Sequence, residues 1–335
     1  MRRVRARAPL RISFAGGGTD VEPFPAGGGL VVNATIAKYV HVSARERPDD
    51  EVRVRSVDLE SEWSCSEAWE QGSKHLIDCA TSHLRTTMGP HGYDLFIRSD
   101  VPPGSGVGAS SALVVAVVAA VARLHSKTLN RVQLVRTAYR IEREIAGIKG
   151  GWQDYYAASY GGFNAVEFPP PAAADPTEVR PIDVSLATRA ELEHNLVLVW
   201  TGETRAGEGI IEDQVKRNAV DAFAEQKKLA RKIEVALIKD RPQDLGPLLH
   251  HAWESKQKMS PKIATQTAKD LYRTGREAGV AGGKLVGAGG GGFMLLCCEY
   301  ERKGDVIEAM EAASCPVEPV TFQPNGVQTW EISDG

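Results

Sequence analysis

The chain has 335 residues, of which 42% are hydrophobic, and 40 basic side chains stand against 43 acidic ones for a formal net charge of −3. This is enough for two modest domains, the division we expect, and a near-balanced charge argues against a nucleic-acid surface. Five cysteines (Cys65, Cys79, Cys297, Cys298 and Cys315) with no C-x-x-C pair exclude a disulfide framework and a cysteine zinc site.

The basic start, Arg2, Arg3, Arg5 and Arg7, is followed by no apolar leader, and reads as a solvated strand edge. Strand-like runs follow at 4–8, 11–15, 40–45, 52–57 and 93–99, with a helix over 74–88 closed by Gly89. The apolar helix after Ser110 stops at Arg123, too short to span a bilayer, so we expect a cytoplasmic protein with no membrane partner. An amphipathic helix is expected over 131–145, a short helix near 154–159 and a strand over 163–168, before the breaker Pro169-Pro170-Pro171. After a strand at 195–200 the chain reads as helical from 208 to 279, interrupted near Pro242 and Pro261. A strand over 293–298, a helix over 303–313 and strands at 317–322 and 327–332 complete an α+β second half. We place the two domains at 1–185 and 186–335. His250 and His251 are neighbours on a helix and point to different faces, which is poor geometry for a shared metal.

The stretch Val101-Pro102-Pro103-Gly104-Ser105-Gly106-Val107-Gly108-Ala109-Ser110-Ser111-Ala112 joins a strand to the apolar helix and reads as a phosphate cradle. Its glycines let the backbone approach a ligand, and the first N–H groups of the helix favour an anion. An ordinary Gly/Ser loop is the plain alternative. No lysine lies between Leu76 and Ser126, which excludes a P-loop, and the third glycine comes one position early for a dinucleotide fold.

That stretch resembles the nucleotide-binding motif of the GHMP kinases. Two more motifs are similar to the family's in the same order: Ala8-Pro9-Leu10-Arg11-Ile12-Ser13-Phe14-Ala15-Gly16-Gly17-Gly18-Thr19-Asp20, and Lys284-Leu285-Val286-Gly287-Ala288-Gly289-Gly290-Gly291-Gly292-Phe293. The segment Gly151-Trp152-Gln153-Asp154 looks like the one that carries the family's catalytic aspartate, and the likeness spans nearly the whole chain. The resemblance implies an N-terminal domain similar to ribosomal protein S5 domain 2, a ferredoxin-like C-terminal domain, and an active site in the cleft between them. Heptose 7-phosphate kinases match the wording best, fucokinases share much of it, and a non-catalytic sensor of the same fold is a third reading.

The expected chemistry is magnesium-dependent phosphoryl transfer from ATP to a sugar phosphate. Residues Pro103, Gly104, Ser105, Gly106, Val107, Gly108, Ala109, Ser110 and Ser111 would hold the nucleotide. Ser110 matches the family's magnesium-binding serine, with a helix cap as its alternative, and Glu142 is the second expected ligand, with Glu144 as competitor and a solvated helix charge as alternative for either. Asp154 is expected to take the sugar hydroxyl's proton; capping its short helix is the alternative. Arg11 would stand beside it and offset charge on the transferring group, unless it is a strand arginine in a surface salt bridge. Gly16, Gly17, Gly18, Thr19 and Asp20 are assigned to the sugar, with Arg205 or Lys256 for a substrate phosphate. Gly17-Gly18 stands where galactokinase has Glu-His, which makes room for a larger substrate. The glycines 287–292 would approach the nucleotide or wall the cleft, a hinge being the alternative, and Lys284 receives no role beyond solvating its loop. A homodimer is left open.

Overall fold

The computed structural model describes residues 1–58, 60–65, 76–171, 177–204, 207–217 and 219–332. Strands β1 (Arg3–Ala15), β2 (Gly29–Glu46), β3 (Val52–Ser56), β4 (Ser61–Cys65), β5 (Tyr93–Ser99), β6 (Phe163–Phe168) and β7 (Glu178–Ile182) lie in one sheet. A second, antiparallel sheet holds β8 (Leu196–Trp200), β9 (Val280–Leu285), β10 (Phe293–Cys298) and β11 (Val317–Pro319) in the order β11-β8-β10-β9. The last strand, β12 (Gln328–Ile332), returns to the first sheet and pairs with β1, Arg3 opposite Ile332 and Arg7 opposite Gln328. A cut at 185/186 therefore separates β12 from the sheet that it completes.

The expected strands 4–8 and 11–15 are one strand. Pro9 between them has no N–H to give the ladder, and the register with β2 slips at Pro9/Leu10, which lets pairing continue past it. β1 alternates Val4, Ala6, Ala8, Leu10, Ile12 and Phe14 into the core, and from Pro9 onward its other face is buried as well. That other face carries Arg11 and Ser13.

Helices α1 (Leu76–Met88), α2 (Ala109–Leu124), α3 (Arg131–Tyr139) and α4 (Gln153–Tyr160) accompany the first sheet, and α2 and α4 pack on β1 and β2. The second half carries α5 (Leu186–Asn195), α6 (Glu208–Arg217), α7 (Val220–Ile238), α8 (Leu245–Gln257), α9 (Gln266–Ala278) and α10 (Lys303–Ala312). α7 and α8 reach across to β2 and β1, and Leu229, Ile233, Leu249 and Phe293 join the same apolar core as Leu10 and Ile12. The stretch expected as one helix over 131–145 opens at Asn130, whose side chain and Gln133 cap each other's backbone N–H, and then widens into a π-helical turn over Arg140–Ile145. No helix among the described residues is long and apolar enough to cross a membrane.

Candidate active site

A cleft of about 420 Å³ opens where β1, the N-terminus of α2, α4, α8 and the third glycine loop meet. Every residue from Pro103 to Ser110 except Val107 lines it, as do Gly17, Gly18, Asp20, Arg11 and Asp154. Residues far apart in sequence are thus brought to one cavity. Gly108, in the left-handed region at φ 80°, precedes α2 with no side-chain cap, which leaves the first N–H groups of a 16-residue helix facing the cleft.

Arg11 is the floor of the site. Its Nε and Nη2 each lie 2.7 Å from Asp154 Oδ1, and its Nη1 donates to the Gly106 carbonyl at 2.6 Å. The backbone joins in, because the Arg11 N–H donates to Val107 O at 3.0 Å. The guanidinium is 4% exposed and the Asp154 carboxylate 18%, so this is no surface salt bridge. Asp154 lies in the first turn of α4 and makes no cap there; its Oδ2 faces Gly108, where an added Cβ would come within 3.4 Å of it.

Asp20 is buried beside this pair. It accepts from the Gly18 N–H at 3.0 Å and the Gln153 N–H at 3.1 Å, and Gly151 must lack a side chain because a Cβ would lie 2.0 Å from Asp20 Oδ2. Burial raises its carboxyl above the ordinary value, the Gln153 N–H opposes that, and the neighbouring Asp154 charge adds to the rise.

Other expected residues are placed elsewhere. Val107 is buried under the loop, holding Arg11 by its carbonyl, and Ser111 donates to Glu142 Oε2 at 2.9 Å rather than facing the cleft. Gly16 and Thr19 shape the turn: the Thr19 hydroxyl donates to Gly16 O at 2.7 Å and accepts from the Leu30 N–H. Glu142 is wholly buried behind α2, where Tyr155 donates to its Oε2 at 2.6 Å, and Glu144 is exposed. Arg205 lies outside the described residues. The loop 287–292 closes the cleft wall as a packed element: Gly106 and Gly287 are back to back, and a Cβ on Gly287 would lie 2.4 Å from Gly106 O.

Of two buried lysines, sequence reading missed Lys284 and named Lys256 for a substrate phosphate. Lys284 is fully buried, not solvating, and donates to Ser13 O at 2.8 Å; burial, then Lys256 and Arg11, push its amine well below the ordinary value. Lys256 lines the cleft, donates to Gly287 O, and is brought down to about 8 by burial and Arg11 against the pull of Asp20 and Asp154. Arg143, Gln153 and Gln214 also line the cavity. The first two adjoin Glu142 and Asp154 in the chain, a signal that adjacency to those carboxylates could have supplied.

Residues 75–162 match the family model for the GHMP kinases N terminal domain. Over 342 residues, 99% of this chain and 100% of the relative, the sequence is 33% identical to a D-glycero-alpha-D-manno-heptose 7-phosphate kinase from Campylobacter jejuni subsp. jejuni serotype O:2. A solved D-glycero-D-manno-heptose 1-phosphate kinase from Bacteriodes thetaiotaomicron has the same fold at TM-score 0.82 and 30% identity, over 99% of this chain and 100% of that one. A bifunctional fucokinase/GDP-fucose pyrophosphorylase from Arabidopsis thaliana is 24% identical over 327 residues, 90% of this chain and 30% of that protein. Two sheets meeting at a glycine-walled cleft, with this full-length likeness, define the class: the chain belongs to the GHMP kinases. Within the superfamily its full-length similarity runs to the heptose phosphate kinases just described.

Proposed function

We propose that this ATP-dependent sugar kinase transfers the γ-phosphoryl group of ATP to the anomeric hydroxyl of D-glycero-D-manno-heptose 7-phosphate, giving the 1,7-bisphosphate. The single observation that carries the mechanism is the Arg11–Asp154 pair, set between the glycine loop and the Gly17–Asp20 turn with one carboxylate oxygen held by Arg11 and the other facing the cleft. Asp154 Oδ2 accepts the hydroxyl proton as the sugar oxygen forms its bond to the γ-phosphorus and the bond to the ADP oxygen breaks. Arg11, fixed through Gly106 O, faces the charge that develops on the transferred group. The backbone of 104–108 and the start of α2 receive the remaining phosphates.

Of the two expected magnesium ligands, Ser110 lines the cleft and Glu142 does not. Ser110 lies in the first turn of α2, and Glu142 Oε1 is a buried carboxylate oxygen with no hydrogen-bond partner among the described residues, 3.4 Å from Arg143 Nη1. Ser110 would hold the ion, which when bound neutralises phosphate charge, and Glu142, its Oε2 taken by Ser111 and Tyr155, is retained as the second ligand through Oε1 alone. Arg205 is retained as the partner of the substrate phosphate. A division near 185, with β12 returned to the first half, is the domain assignment that we propose.

The test is ATP consumption with magnesium and four acceptors side by side: D-glycero-D-manno-heptose 7-phosphate, L-fucose, D-mannose and D-galactose. Turnover of the heptose phosphate with a new anomeric phosphate in the phosphorus NMR spectrum is the expected result. Turnover of an unphosphorylated sugar alone keeps the kinase and replaces the substrate. No turnover with any sugar, despite tight nucleotide binding, supports a sensor.

A further inference from the structure

Of the three glycines at the sugar turn, two are dictated by the backbone. Gly16 and Gly18 have φ of +87° and +101°, and a Cβ on Gly16 would lie 1.9 Å from Leu30 O. Gly17 has no such requirement. Its φ is outside the left-handed region, and an added Cβ would meet nothing closer than 3.6 Å.

What that Cβ would meet is a ring of polar atoms: Gln153 Nε2 at 3.6 Å, Ser13 Oγ at 3.7 Å and Lys256 Nζ at 3.8 Å. They come from α4, β1 and α8, and all three side chains are buried. Ser13 Oγ and Gln153 Oε1 have no hydrogen-bond partner among the described residues. Such groups are costly to bury unsatisfied, so two in one place call for a partner that the protein itself does not provide. Gly17, Gln153 and Lys256 line the same cleft as Asp154.

We propose that Ser13, Gln153 and Lys256 form a subsite for one hydroxyl oxygen of the sugar, beside the hydroxyl that Asp154 deprotonates, and that position 17 is glycine to leave that oxygen room. The inference rests on reading the cleft as a sugar kinase site. Because these three polar atoms lie 3.6 to 3.8 Å from where a Gly17 Cβ would stand, an oxygen lodged between them and the bare Gly17 Cα would face all three. The set offers both polarities: the ammonium donates, the Ser13 hydroxyl donates or accepts, and the Gln153 amide does both. A sugar lacking the hydroxyl, or presenting its epimer, leaves Ser13 and Gln153 unpaired, which makes the subsite a determinant of sugar choice.

Gly17→Ala tests this directly, because its methyl makes only ordinary contacts within the protein and projects into the space between the Gly17 Cα and the three polar groups, where the oxygen would lie. The acceptor panel is run first on the unaltered protein, and the variant is compared on whichever sugar is phosphorylated. A different acceptor then overturns the heptose reading while the subsite is still tested. The expected result is a KM for the sugar raised about tenfold or more, with unchanged ATP KM, melting temperature and circular dichroism. Ser13→Ala is expected to raise the sugar KM as well, and to have no further effect in the Gly17→Ala background, since both remove the same contact. A wild-type sugar KM in Gly17→Ala, or sugar and ATP KM rising together, overturns the subsite. Should no sugar be phosphorylated, calorimetric titration of the heptose 7-phosphate decides: binding weakened by Gly17→Ala supports the subsite alone, and no binding to the unaltered protein overturns both.

Discussion

Asp154 gives one carboxylate oxygen to Arg11 and leaves the other toward the cleft, so a change that keeps the shape but not the basicity isolates its proton-accepting role. Asp154→Asn is expected to lower kcat by at least about a hundredfold while ATP binding and the fold persist; near-wild-type turnover in a steady-state assay excludes that role. Lys256 yields a pH signature. Its amine is brought to about 8 by burial and by Arg11, opposed by Asp20 and Asp154, with the Lys284 amine also facing it. It is a cation below that value and neutral above, so sugar KM is expected to climb as pH passes about 8, and Lys256→Arg, which stays charged, is expected to shift that limb upward; a flat KM from pH 7 to 9.5 sinks the assignment. Asp154, Arg11 and the glycine loop were legible because motif spacing carries them. Lys284 and Ser13 were not, since their meaning lies in burial: a lysine after two glycines reads as solvated until α8 and β1 are folded over it.

Helices and strands show the same limit in another form. The strands at 93–99 and 163–168 have the bounds that alternation predicts, and 293–298 matches its apolar run. The first half of β2 escaped, because Leu30 to Ala34 is buried on both faces and shows no alternation. β9 escaped because Gly282 and Gly283 read as loop, whereas a Cβ on Gly282 would lie 1.8 Å from the Gly246 carbonyl oxygen, so the glycine is what lets α8 lie on the strand. The two glycine loops predict their own sensitivity. Gly287→Ala sets a side chain at φ +72° against Gly106 O, a strain of about 1–3 kcal/mol; a lower melting temperature and a raised ATP KM are expected, and a wild-type value for both refutes the back-to-back role. Asn130→Ala removes the cap of α3 and is expected to cost about 1 kcal/mol in urea unfolding without changing the KM for either substrate.

At the scale of the whole molecule, β12 ties the end of the chain to the strand that bears Arg11. Arg7 Nε donates to Gln328 Oε1 at 2.8 Å, and Arg123 donates to Thr329 O at 2.9 Å, so β1 and α2 are both held from outside by the tail. Removing residues 327–335 is expected to lower the melting temperature and, by baring the outer edge of β1, to promote self-association visible in sedimentation velocity; a monodisperse, equally stable protein rules this out. The return of β12 also sets a schedule for biosynthesis. β1 waits for its outer neighbour β12 through roughly 300 residues of translation, on the order of 15–60 s at ordinary elongation rates. During that interval β1 has β2 on one side and an open ladder on the other, so the nascent protein is a sheet with a live edge until β12 emerges to seal it.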